Sequence, residues 1–172
     1  MQNIAVNNAL QCGYLQVPFS PLVTHGFLDL ADFAAVAAAI LRARPSAHAR
    51  TRYELVGDLA SYRDVAQWLS EIARMPINIE RVDRDTAVQR QVQSGRLRDA
   101  YGCDALARMI SYYEEQYVLI RLNSILSVKT THNTHIQNYL PSGLTGSLNT
   151  LRWLLGREPL SVKRYIAREA RI

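Results

Sequence analysis

Several features common in proteins of this size are missing, and each absence excludes something. Cysteine is nearly absent: Cys12 and Cys103 are far apart and form no C-x-x-C, so a disulfide framework and a zinc ribbon are both excluded. No apolar run approaches the roughly 18 residues that a membrane helix needs. Met1 is followed by polar Gln2 and Asn3 rather than by a basic and then an apolar stretch, so no secretory signal is read there. Together these point to a reducing, cytoplasmic setting and to no membrane. The eight glycines are never spaced G-x-G, and only Gly143 and Gly146 stand three apart. What is present is ordinary for a globular chain: 172 residues, 48% hydrophobic and 20% charged, enough to bury a core without cross-links.

The net charge of +5 is unevenly placed. From Arg152 onward six basic residues stand against Glu158 and Glu169. A basic helix can meet nucleic acid, but aromatic stacking residues, a DNA-binding motif and a long basic run are all lacking. The basic end therefore reads as a solvated helix face, and a nucleic-acid partner is not expected. Catalytic signatures are equally sparse. No serine sits in G-x-S-x-G, and His132-x-x-His135 has no Cys, Asp or Glu nearby to complete a metal site. Asp29 and Asp32, three apart at a helix start, read as a capping box rather than as paired catalytic carboxylates. Trp68 and Trp153 fall on apolar helix faces and read as core anchors.

Periodicity organises the rest. Met1 to Pro21 has little pattern. Gly26 to Leu30 alternates like a strand, and the helix after it carries Phe33, Val36, Ala37, Ile40 and Leu41 as one apolar stripe ending before Pro45. Arg52 to Val56 is a second strand closed by Gly57. Ser61 and Asp64 cap a helix with Val65, Trp68, Leu69 and Ile72 inward, and Ile77 to Val82 is a third strand. Strand, helix, strand, helix, strand predicts an α/β class. Helices are expected over 85–93, over 99–116 with Leu106, Met109, Ile110 and Tyr113 inward, over 148–155, and after Ser161 with Val162, Tyr165 and Ile166 inward.

These residues also carry a resemblance. Gly26-Phe27-Leu28-Asp29-Leu30-Ala31-Asp32-Phe33-Ala34 resembles the "fvdv-x-D-x-A" segment of the NmrA-like family, atypical short-chain dehydrogenase/reductases. Tyr53-Glu54-Leu55-Val56-Gly57 and Ser61-Tyr62-Arg63-Asp64-Val65-Ala66 are similar to its "y-e-l-x-G … sy-x-e-x-A". Met1-Gln2-Asn3 resembles the tail of its mid-chain "f-M-e-N". Leu151-Arg152-Trp153-Leu154-Leu155-Gly156-Arg157-Glu158-Pro159 is close to its "vLxwLLGRxP" ending. The match spans the chain except for 117–142. In the family, "YYdrHG" runs almost directly into the closing helix. Here Tyr112-Tyr113-Glu114-Glu115-Gln116 is separated from Gly143-Leu144-Thr145-Gly146 by a stretch without any acidic residue.

The resemblance implies an incomplete Rossmann-type fold: the C-terminal, substrate-side lobe, with the dinucleotide-binding half missing. On this basis 1–116 is the substrate lobe, 117–142 an atypical insertion and 143–172 a helical segment of the same lobe. Replacing Gln116 through Ser142 by one His would restore the family pattern, so the insertion is read as a translated intron; a hairpin turning at Asn123-Ser124 is the alternative. A dominant transcript retaining those codons would contradict the intron. Intact members take NADP, whereas no cofactor is expected here. A pyrophosphate must be gripped by main-chain amides at a G-x-G-x-x-G turn opening a helix, and the glycine spacing provides none.

The resemblance further implies Asn3, Tyr112 and Tyr113 as substrate-pocket candidates, with no catalytic residue assigned. The expected function is that of a truncated NAD(P)-dependent oxidoreductase-type protein, linked to secondary metabolism and without redox activity of its own. The alternatives are an NAD(P)-sensing interaction module, or a small stand-alone ligand-binding protein or non-redox enzyme. The expected partners are a small-molecule ligand, a protein partner, or a second copy recruited through exposed strand edges. A cooperatively unfolding monomer would count against that last expectation.

Overall fold

The computed structural model describes residues 1, 4–127 and 146–170. Its architecture is α/β, with short strands set among helices. Helix α1 (Val6–Cys12) ends on Gly13, whose φ of 77° turns the chain directly into strand β1 (Tyr14–Val17). Strand β2 (Thr24–Phe27) leads into helix α2 (Leu30–Arg42), followed by a single turn, α3 (Pro45–His48). Then come β3 (Asp58–Ser61), α4 (Tyr62–Ala73), β4 (Asn78–Arg81) and α5 (Arg84–Gln93). The chain continues through α6 (Ala100–Ser127), α7 (Leu148–Leu155) and α8 (Val162–Glu169).

Two small sheets result. β1 lies parallel to β4 with Tyr14 opposite Asn78 and Val17 opposite Arg81. β2 lies antiparallel to β3 with Thr24 opposite Ser61 and Phe27 opposite Asp58. β4 falls where the alternation puts it, but the other strands correct the sequence reading. β2 ends at Phe27 because Asp29 is already the cap of α2, its carboxylate accepting from the Ala31 amide at 3.0 Å. The second strand begins after Gly57, not before it. Gly57 donates to the Phe27 carbonyl at 2.7 Å, and a Cβ there would stand 3.2 Å from that oxygen, so its bare backbone admits the close approach that starts the ladder. β1 was not legible, since two inward side chains, Leu15 and Val17, are too few for a periodic signal.

The main core joins α1, β1, α4 and α8 through Val6, Ala9, Leu15, Val17, Val65, Leu69, Val162 and Ile166. The expected inward faces of α4 and α8 are borne out, as is the capping box of Ser61 and Asp64. The stripe of α2 is borne out only at its middle. Val36 is buried, yet Phe33 is exposed and Leu41 is 85% exposed, because α2 packs on α7 along a narrow line only. Met109 of α6 is likewise exposed, whereas Ile110 and Tyr113 are buried. α6 runs eleven residues past its expected end at Gln116, and the hairpin at Asn123-Ser124 is replaced by helix. Nothing in 117–127 breaks a helix, as neither Gly nor Pro occurs there.

Asp29 and Asp32 do more than cap. Asp32 is 2% exposed and accepts from Arg157 Nη2 at 2.6 Å and from the Leu160 amide at 2.7 Å, so it does not complete a capping box with Asp29. Asp29, equally buried, lies 3.2 Å from Arg168 Nη2. Asp58 Oδ2 receives the Val162 amide at 2.8 Å, and Lys163 reaches Glu71 at 2.9 Å. Three of the six C-terminal cations, Arg157, Lys163 and Arg168, thus tie this end of the chain to the body of the fold, which corrects their reading as a merely solvated face.

Candidate functional site

Two questions decide what the described residues can do: whether a helix end can hold a dinucleotide phosphate, and where the predicted pocket residues lie. An anion site at a helix start needs free amides and no competing acid. The starts of the longer helices are already occupied. Asp29 caps α2, the Ser61–Asp64 pair caps α4, and Asp83 takes the Thr86 amide at the start of α5 at 2.8 Å. Asp99 takes the Gly102 amide at 2.6 Å in α6, and Ser161 caps α8. A carboxylate in four of these five places repels a phosphate as well as displacing it. α7 has no side-chain cap among the described residues, but Gly146 just before it is packed against Val56.

The glycines tell the same story. Among the described residues those with positive φ are Gly13, Gly95 and Gly156, and all three follow the end of a helix. They serve as C-terminal stops, the opposite of a phosphate-binding turn. Gly146 stands before α7, but its missing side chain makes room for Val56, whose Cγ2 lies 2.9 Å from where a Cβ would be. These residues do not fit an NADP pyrophosphate.

Among the predicted pocket residues, Asn3 lies outside the described residues, as does the His132-x-x-His135 motif. Tyr112 and Tyr113 are neighbours on α6, with ring centroids 6.0 Å apart, but they face different ways. Tyr113 turns inward to a ring cluster around His25, 5.1 Å from its centroid and 5.6 Å from that of Phe19. Tyr62, at the first position of α4, completes the cluster at 5.6 Å from His25. Burial pushes the Tyr62 phenol up to about 12, with the nearby Tyr113 phenol adding to the effect. Burial likewise lowers His25 to about 4, and its Nε2 is buried without a hydrogen-bond partner. Near neutral pH His25 and Tyr62 are therefore uncharged, and the cluster holds Tyr113 on the turn of α6 that also carries Tyr112.

Tyr112 is 54% exposed and borders a shallow concavity of about 420 Å³ between α5 and α6. Arg84, Arg108, Ser111 and Glu115 line it with Tyr112. Arg84 donates to Ser111 at 3.3 Å and to Asp85 at 2.9 Å, while Arg108 is engaged by Asp104 one turn earlier. The concavity sets a phenol among two arginines that are already paired and two acids, Asp104 and Glu115, which suits a polar small molecule better than an apolar one. The sequence had pointed to Tyr112 but missed His25 and Tyr62. The available signal was a histidine two residues before Phe27 on the buried side of a strand, where an apolar residue is the rule. Among the described residues, no group of three or more His, Cys, Asp or Glu could hold a metal ion, and no helix is long and apolar enough to cross a membrane.

No protein-family model matches the chain, and no curated protein matches it. Solved structures do match in fold. An NADPH-dependent quinone oxidoreductase from Escherichia coli, solved with NADPH, aligns with a TM-score of 0.62 at 16% identity, over 98% of this chain and 50% of its own. A second structure of an NADPH-dependent quinone oxidoreductase from the same organism gives 0.60 at 15% identity, over 96% and 49%. A nucleoside-diphosphate-sugar epimerase from Staphylococcus aureus gives 0.57 at 16% identity, over 94% and 46%. This chain therefore spans about half the length of the structures it matches. At such identity the likeness is one of fold alone.

Proposed function

We propose that these residues form the substrate-side lobe of an NmrA-like, NAD(P)-dependent oxidoreductase-type protein, cytoplasmic and linked to secondary metabolism, and that they carry no redox activity by themselves. One observation carries the proposal. A chain that aligns almost end to end with half of an NADPH-dependent enzyme closes its longer helix starts with its own side chains. Two pieces of the sequence resemblance support the family reading: the Asp29–Asp32 segment and the Gly156-Arg157-Glu158-Pro159 ending are the two parts joined by the Asp32–Arg157 pair. Residues 117–142 stand in this proposal as an insertion within the lobe.

NADP in an intact member would supply or accept hydride; this chain's part is to bind and orient a small-molecule substrate. Tyr112 is the proposed substrate-facing phenol, Tyr113 its buried support, and Asn3 a further pocket residue. Self-association through the outer edges of the two-stranded sheets is the proposed assembly route. NADPH oxidation with p-benzoquinone as acceptor tests the lack of redox activity. Loss of the nicotinamide absorbance is expected at the protein-free rate. Oxidation that saturates with NADPH and scales with protein concentration would overturn it.

A further inference from the structure

Trp153 was expected in the core and is instead 68% exposed. An indole left in water next to a second aromatic ring calls for a reason, because burial of its surface would be strongly favourable. Its neighbour is Tyr53, with ring centroids 6.4 Å apart and planes inclined at 50°. The two rings border a solvent-open groove of about 550 Å³, away from Tyr112, between the segment before β3 and the first turns of α7. That volume is within the range of small-ligand sites.

The groove has a defined polarity. Tyr53 is not free to swing, since its hydroxyl lies 2.8 Å from His48 Nδ1. Arg52 lines the groove beside it and makes no ion pair with a described residue, in contrast to Arg152, Arg157 and Arg168 nearby in sequence to Trp153. Arg50, two residues earlier, holds a φ of 59°, a left-handed conformation uncommon outside glycine, so the segment presenting Arg52 and Tyr53 has a specified backbone shape. Asn149 and Thr150 add neutral hydrogen-bonding groups from α7. The acid in the groove, Glu54, has its carboxylate at the Gly146 side, 3.9 Å from where a Cβ there would sit. An anion is therefore drawn to the Arg52 end.

We propose that this groove is a binding site for a planar aromatic carboxylate, with the ring lodged against Trp153 and Tyr53 and the carboxylate paired with Arg52. Two touching rings inclined to one another form a corner, in which one flat ring can stack on the first and meet the second with its edge. The guanidinium offers a fork that matches a carboxylate with two parallel hydrogen bonds.

The probe is 2-naphthoate, with 2-naphthylmethanol as its uncharged counterpart, each titrated into the full chain carrying ¹⁵N-labelled tryptophan. The expected result is a saturable shift of the Trp153 indole signal with Trp68 unmoved, and naphthoate bound on the order of fivefold or more tightly than the alcohol. Arg52→Gln should bring the acid down to the affinity of the alcohol, and Trp153→Ala, followed by isothermal titration because the reporting indole is gone, should abolish both. All these side chains are exposed or half-buried, so the variants are expected to fold, and the unchanged Trp68 signal reports that they do. A Trp153 signal that does not saturate, or equal binding of acid and alcohol, would overturn the proposal. So would an Arg52→Gln variant that binds naphthoate as before.

Discussion

Between about pH 6.5 and pH 4 the folded chain is expected to lose roughly 3 kcal/mol of stability through His25 alone. In the folded state burial holds this imidazole neutral, with its proton affinity lowered from 6.5 to about 4. The unfolded chain has no such constraint and takes up the proton near 6.5. The contribution is therefore fully present above the unfolded value, declines as the pH falls, and is gone below about 4, where both states are protonated. Carboxylates titrate over part of the same window, so the wild-type curve by itself is not diagnostic. His25→Phe isolates the histidine. Near pH 7 it should be as stable as wild type or more so, because a buried Nε2 without a partner costs about 1–3 kcal/mol. Towards pH 4 the gap between the two proteins should widen by roughly 3 kcal/mol in urea melts. A gap that stays constant with pH would show that His25 titrates normally.

Asp32→Ala is expected to cost about 2–3 kcal/mol, seen as a fall in Tm of about 5–10 °C for a domain of this size. Its carboxylate is almost wholly buried and fixes both the Arg157 guanidinium and the Leu160 amide, joining the start of α2 to the segment between α7 and α8. Arg157→Met should cost a similar amount for a different reason: it leaves the Asp32 carboxylate buried with only the amide to compensate it. The double variant should lose clearly less than the two single losses together, since each change removes the same pair. Strict additivity would mean that the pair contributes nothing. Arg152→Met provides the contrast. Its partner Glu158 is exposed, and the loss should stay within about 1 kcal/mol.

Local chemistry was the legible part of this fold. Asp29, Ser61 with Asp64, and Ser161 could be read as helix starts, and Gly95 and Gly156 as helix stops, because caps are short-range devices that need no knowledge of the tertiary fold. The inward faces of α4 and α8 were legible for a related reason: both helices are covered along their full stripe. Where burial is partial the pattern misleads. Phe33 and Leu41 complete a stripe in sequence but not in space, and Trp153 stays largely exposed on a helix whose buried side is marked by Leu151.

Apart from β4, the strands were misplaced or missed for want of length. Each has four residues, and two inward side chains cannot be told from chance. The partners of buried charges were invisible for a third reason. Asp32 and Arg157 are 125 residues apart, and no local rule connects them. On α6 the inward place of Tyr113 was legible from the helical stripe, whereas its partners were not, because Phe19, His25 and Tyr62 arrive from other elements.

The proposal that these residues cannot grip a dinucleotide is tested most directly by isothermal titration of NADPH into the purified chain. No saturable heat is expected at micromolar concentrations, because Asp29, Asp64, Asp83 and Asp99 already hold the helix ends that a pyrophosphate would need. A well-defined micromolar dissociation constant at one site per chain would contradict it.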